Sequence, residues 1–144
     1  MSGKDAFLED EKGKIGKTVA MVDDLLAKKD LSQYEVIALG TLLQNVYSGI
    51  EGIMRYQLQE IGIRLNKDEN WHKNLLIQYR DHGMISDKQF EGLLELLLFR
   101  HLHIHGYGFM LNETRLLELA EPVPELYRGL FKNDSIEYDS EIVL

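Results

Sequence analysis

Ser86-Asp87-Lys88-Gln89-Phe90-Glu91-Gly92-Leu93-Leu94-Glu95-Leu96-Leu97-Leu98-Phe99-Arg100-His101-Leu102-His103-Ile104-His105-Gly106 is the stretch that decides the architecture. Serine followed three positions later by glutamine is a capping box, which satisfies two backbone donors reciprocally and starts a helix. Phe90, Leu93, Leu94, Leu96, Leu97, Leu98 and Phe99 then make that helix apolar around most of its circumference. A helix of this kind must be covered on more than one side. Other helices have to surround it, and in a bundle this small the second side is expected to be a subunit interface.

Working outward, the neighbouring segments also read as helices. Ile15, Val19, Val22 and Leu26 recur at helical spacing and predict a helix over about 8–29. Ser32 and Glu35 form another capping box, opening a long helix to about Ile61. Its expected packing stripe is Ala38, Leu42, Asn45, Gly49, Gly52, Ile53 and Tyr56. Gly49 and Gly52 cost helix propensity, so both are expected where another helix approaches closely. Asn70 is expected to cap a helix from Trp71 to about His82, with Gly83 as its left-handed end. A broken last helix is expected over Glu113–Ala120 and again from Pro124 to about Phe131. No segment reads as a strand. The fold class is therefore all-α: an up-and-down bundle of four to five helices with short connections.

The chain has 144 residues, enough for one domain with a core of its own. Residues 1–132 are expected to form that single domain, and 133–144 an acidic, weakly patterned, flexible tail. There is no cysteine, hence no disulfide framework and no thiolate metal site. The N-terminus lacks the basic-then-apolar pattern of a secretion signal. No apolar run approaches the ~20 residues that span a bilayer. The expected location is the cytoplasm. Twenty-four acidic against 16 basic side chains leave a net charge of −8. That balance argues against a broad basic surface for nucleic acid, so such a substrate would need positive charge focused in a cleft.

Chemistry concentrates where the fourth helix meets its glycines. Arg100, His101, His103, His105 and Tyr107 fall within eight positions. The ordinary reading is a polar helix end, where basic side chains offset the macrodipole. Three alternating histidines exceed what that reading needs. A metal site is a second reading, but only His101 and His105 share a helix face, and two imidazoles without a nearby cysteine or carboxylate make an incomplete zinc set. No metal and no cofactor are expected. The third reading is metal-free cleavage of RNA. The substrate carries its own nucleophile, the 2′-hydroxyl. A histidine titrating near neutrality can move the protons. An arginine offers a planar fork of donors to phosphate oxygens. One geometric condition applies: five residues of ideal helix leave Arg100 and His105 ~140° apart. The helix must end or distort before His105, or two chains must share the site.

The same residues carry a resemblance. Arg100, polar His101 and His105 match the Arg-polar-x-x-x-His motif of the HEPN superfamily of ribonucleases. With Tyr107 two positions on, the segment resembles the HepT branch of toxin–antitoxin ribonucleases. Leu43 to Glu51 is similar to that branch's second-helix block. Trp71-His72-Lys73-Asn74-Leu75-Leu76 is similar to its third-helix block, and Arg100 to Phe109 to its motif block. The likeness runs from about residue 15 to 131. It implies a helical homodimer with the two Arg/His motifs facing across a cleft. It implies a metal-independent endoribonuclease toxin of a type VII-like system, cutting tRNA or mRNA. It further implies an antitoxin, a minimal nucleotidyltransferase that transfers AMP to the motif tyrosine. By this carry-over Arg100 and His105 are catalytic, His101 is the supporting polar position, and Tyr107 is the AMPylation site. A non-catalytic HEPN partner of a nucleotidyltransferase is the alternative.

Four residues keep two readings each. Glu51 either orients an imidazole or the arginine, or pairs with Arg55 at i+4. His72 and Lys73 either meet RNA phosphate or are simply solvated, the commoner case. Trp71 reads as a core anchor before a base-stacking platform. Gly13-Lys14-Ile15-Gly16-Lys17-Thr18 ends like a phosphate-binding loop, but Glu11 stands where the motif needs glycine.

Overall fold

The computed structural model describes the backbone of residues 3–104 and 113–130, with side chains over 6–102 and 113–130. Helix α1 spans Gly3–Leu26, α2 Gln33–Glu60, α3 Trp71–Asp81, α4 Asp87–Ile104 and α5 Glu113–Ala120. A further helical run covers 123–130. No strand occurs among the described residues. The expected all-α bundle is what the chain forms. The expected tail, 133–144, lies outside the described residues.

Both capping boxes close as expected. The Glu35 backbone N–H donates to the Ser32 hydroxyl (3.1 Å), and the Ser32 N–H donates back to the Glu35 carboxylate (2.9 Å). Lys28 pairs with the same carboxylate and, with those bonds, holds it below the usual carboxylate range. Ser86 and Gln89 repeat the exchange at 3.1 and 2.9 Å. The third helix starts differently. Asn70 makes no side-chain cap; instead its own N–H donates to the Asp68 carboxylate at 3.0 Å. Gly83 ends that helix in the left-handed region, φ +75°, where a side chain would be strained.

Helix α2 is the centre. It packs against α1, α3, α4 and α5, while α3 and α4 also pack on each other. Four neighbours require a wide apolar surface, and α2 buries Leu39, Leu43, Val46, Tyr47, Ile50, Ile53, Met54 and Leu58. The expected stripe is therefore out of phase at its start: Ala38 and Asn45 are exposed. Gly49 does mark a close approach, since a Cβ there would sit 2.6 Å from Ile15 Cγ1 of α1. Gly52 does not, because a Cβ there would meet nothing within 4 Å.

Helix α4 sends Phe90, Leu93, Leu96 and Phe99 into the core. On its outer side Leu98 remains 61 % exposed and Leu102 39 %. The run 123–130 is tied to α1 by the Tyr127 hydroxyl, which donates to the Lys12 carbonyl at 2.8 Å. No described helix is long and apolar enough to cross a membrane.

Candidate active site

Three helices bring polar side chains to one place on α2. Tyr47, Ser48 and Glu51 belong to consecutive turns of that helix, His72 opens α3, and Arg100 lies near the end of α4. Helix geometry puts residues 47 and 51 on one face, with 48 beside them. Tyr47 and Glu51 point inward and are buried, whereas Ser48 is exposed.

Glu51 is the one buried charged residue among those described. A carboxylate out of water is costly unless it is hydrogen-bonded, and here one of its oxygens meets two partners. The Tyr47 hydroxyl donates to Glu51 Oε2 at 2.9 Å. His72 Nδ1 lies 2.7 Å from the same oxygen. A carboxylate can only accept, so Nδ1 carries the hydrogen, and Nε2 sits on the other side of the ring. Burial pushes the Tyr47 hydroxyl well above the usual phenol range, and the Glu51 charge pushes it further, while the Arg100 guanidinium pulls the other way. Tyr47 thus keeps its proton and remains a donor.

Arg100 is half-buried, and its Nε donates to the Ser48 hydroxyl at 3.4 Å, a long contact that orients the fork across α2. His101, the supporting motif position, is exposed. The His72 ring is further fixed by Trp71, whose ring centroid lies 3.7 Å away. Arg55 stands over the Trp71 ring at 5.9 Å. Trp71 is partly buried against the core, so the anchor reading holds.

Of the two readings kept for Glu51, the structure selects the imidazole and not Arg55. The imidazole is that of His72, 21 residues away, which local spacing cannot reveal. Ser48 is the residue that sequence reasoning missed: it sits inside the quoted second-helix block with no role assigned. His105, Tyr107 and the His103 side chain lie outside the described residues. The structure therefore positions Arg100 and leaves its meeting with His105 an expectation. No cluster of three or more histidine, aspartate or glutamate side chains suited to a metal occurs among the described residues.

The model of HepT-like proteins matches residues 38–137, more than half of the chain, including most of α2 and all of α3 and α4. The chain belongs to the HepT-like family. That family is linked to the HEPN nuclease superfamily and to toxin–antitoxin proteins. The chain is similar in fold to a solved structure, the cytosolic protein of unknown function YutE from Bacillus subtilis. The two share 16 % identity at a TM-score of 0.59, over 85 % of this chain and 91 % of that one. No curated protein matches this HepT-like chain.

Proposed function

We propose that this HepT-like protein is a metal-independent endoribonuclease, the toxin of a type VII-like toxin–antitoxin pair, acting on tRNA or mRNA as a homodimer. The observation that carries the reading is Arg100. Its guanidinium is half-buried and oriented by Ser48, the neighbour in sequence of Tyr47 in the bonded polar chain, in a family tied to HEPN nucleases.

In the proposed reaction His105 takes the proton of the 2′-hydroxyl as its oxygen attacks the adjacent phosphorus, the proton it later returns to the leaving group. Negative charge grows on the non-bridging oxygens, where the Arg100 fork supplies fixed donors that need no reorganisation. His105 protonates the departing 5′-oxygen, giving a 2′,3′-cyclic phosphate and a 5′-hydroxyl. His101 supports the motif. Leu98 and Leu102, exposed one turn apart on α4 on either side of Arg100 in sequence, offer an apolar surface for the second subunit. AMP on Tyr107 would place negative charge and bulk two residues from His105, repelling an RNA phosphate. The partner that adds it is a minimal nucleotidyltransferase.

The test is incubation of purified protein with total tRNA in EDTA, beside Arg100→Ala and His105→Ala variants. Cleavage in EDTA that both variants lose supports the reading. An inert wild-type protein that still binds a nucleotidyltransferase would move the chain to the non-catalytic alternative.

A further inference from the structure

Ser48 and Glu51 lie one turn apart on α2, and each holds a nitrogen-bearing side chain from a different helix: Arg100 of α4 on Ser48, His72 of α3 on Glu51. The Cβ atoms of positions i and i+3 on a helix are about 5–6 Å apart, so the two held side chains reach neighbouring turns of one helix face. We propose that His72 is a substrate-contacting residue of this site: in its doubly protonated form, Nε2–H donates to an RNA phosphate oxygen next to the one held by Arg100. The assignment rests on the ribonuclease reading above and names a binding residue that the Arg100/His105/Tyr107 motif does not contain.

Three observations separate His72 from a solvated surface histidine. First, its Nδ1–H is bonded to a carboxylate that is only 7 % exposed, and that carboxylate is also bonded by Tyr47. A chain that wanted only to fasten α3 to α2 could do so with apolar side chains, which in a buried site are at least as stabilising as an ion pair. Second, the ring is fixed twice, at its edge by Glu51 and at its face by Trp71. A ring held this way loses little rotamer freedom on binding a ligand. Third, a quarter of the side chain still reaches the surface. The bond to Glu51 occupies one nitrogen and turns the other away from the core.

Arg55 extends the arrangement, over Trp71 and one turn beyond Glu51. Between Ser48 and Arg55 on the same exposed face is Gly52, whose missing side chain leaves open space. At that turn of α2 there is room for an RNA backbone to pass.

The experiment uses His72→Asn, because the asparagine amide nitrogen overlays Nδ1 and keeps the bond to Glu51 while Nε2 is gone. His72→Ala removes both. Binding is read with a mixed-sequence 2′-O-methyl oligonucleotide, which lacks the nucleophile and cannot be cut; kcat and KM are read on tRNA. The expected result is a loss of about tenfold in oligonucleotide affinity for His72→Asn, the size of one hydrogen bond to a charged group, with a wild-type melting temperature and a raised KM. Wild-type affinity in His72→Asn, with stability lost only in His72→Ala, would overturn the proposal and make the contact a structural tie. A wild-type protein that fails to cut tRNA but binds the oligonucleotide through His72 would sink the nuclease reading alone. Failure of the wild-type protein to bind the oligonucleotide would sink both.

Discussion

The two halves of α4 look out on different surroundings. Its first half lines a hollow of about 530 Å³ shared with α5 and the 123–130 run, whose walls include Lys88, Glu91, Glu95 and Glu125. Arg100, near the other end, lies against Ser48, the neighbour in sequence of Tyr47 in the bonded Tyr47–Glu51–His72 chain. Three carboxylates against the one ammonium of Lys88 would repel a polyanion, whereas the Arg100 guanidinium would attract one. A hollow alone would choose the first region. A buried carboxylate bonded by two side chains chooses the second. In a chain of net charge −8, what matters for an anionic substrate is where the few cations are held.

The sharpest way to break this contrast is to substitute each half. Arg100→Ala removes the phosphate fork and is expected to cut the rate of RNA cleavage by about 10²–10³, as loss of a fixed charge-stabilising donor does. Glu95→Gln, in the hollow, should stay within about twofold, the range of surface changes. Equal effects in gel-based cleavage assays would erase the distinction.

Stability should divide along the same line. Glu51→Ala strands the Tyr47 hydroxyl and the His72 Nδ1–H, and is expected to cost about 3 kcal/mol in urea unfolding. Glu95→Ala should cost under about 0.5 kcal/mol. The two α2 glycines sharpen the packing side of the comparison. Gly49→Ala drives a methyl into Ile15 and should destabilise by about 1–3 kcal/mol. Gly52→Ala enters open space and should stabilise by up to about 1 kcal/mol through helix propensity. Opposite signs in thermal melts are the expected result.

The smallest effect is in alkaline solution. The Tyr47 hydroxyl titrates higher in the folded chain than in the unfolded one, chiefly because it is buried. The folded state therefore holds its proton longer. This contribution is complete below the unfolded phenol's pKa of about 10 and is lost as pH rises above it. Wild-type stability should fall by about 1.4 kcal/mol per pH unit above that point from this group. Tyr47→Phe should show the shallower decline when urea midpoints are compared across pH 9–11, a range set around that pKa at roughly one unit each side.

What the sequence made legible was local. Both capping boxes involve residues three positions apart, and both close as their chemistry dictates. Gly83 had to be left-handed for α3 to turn into α4. The motif arginine could be named because its neighbours in sequence name it. What was not legible depended on partners far along the chain. Glu51 had a ready i+4 cation in Arg55, yet it turns inward to Tyr47 and to His72, because three helices meet at that turn. The same crowding shifted the buried face of α2 away from Ala38 and Asn45. Asn70 offered a cap by residue type, but its side chain makes no capping bond. Gly52 looked like a contact and is an opening, a difference no propensity scale encodes.

The central claim is best tested by the ends of the cut RNA. After digestion in EDTA, mass spectrometry of the fragments should find 2′,3′-cyclic phosphates and 5′-hydroxyls, and a single 2′-deoxy substitution at the cut position should abolish cleavage there. Fragments ending in 3′-hydroxyl and 5′-phosphate, or cleavage that persists at the 2′-deoxy position, would contradict a site built on Arg100 and the substrate's own hydroxyl.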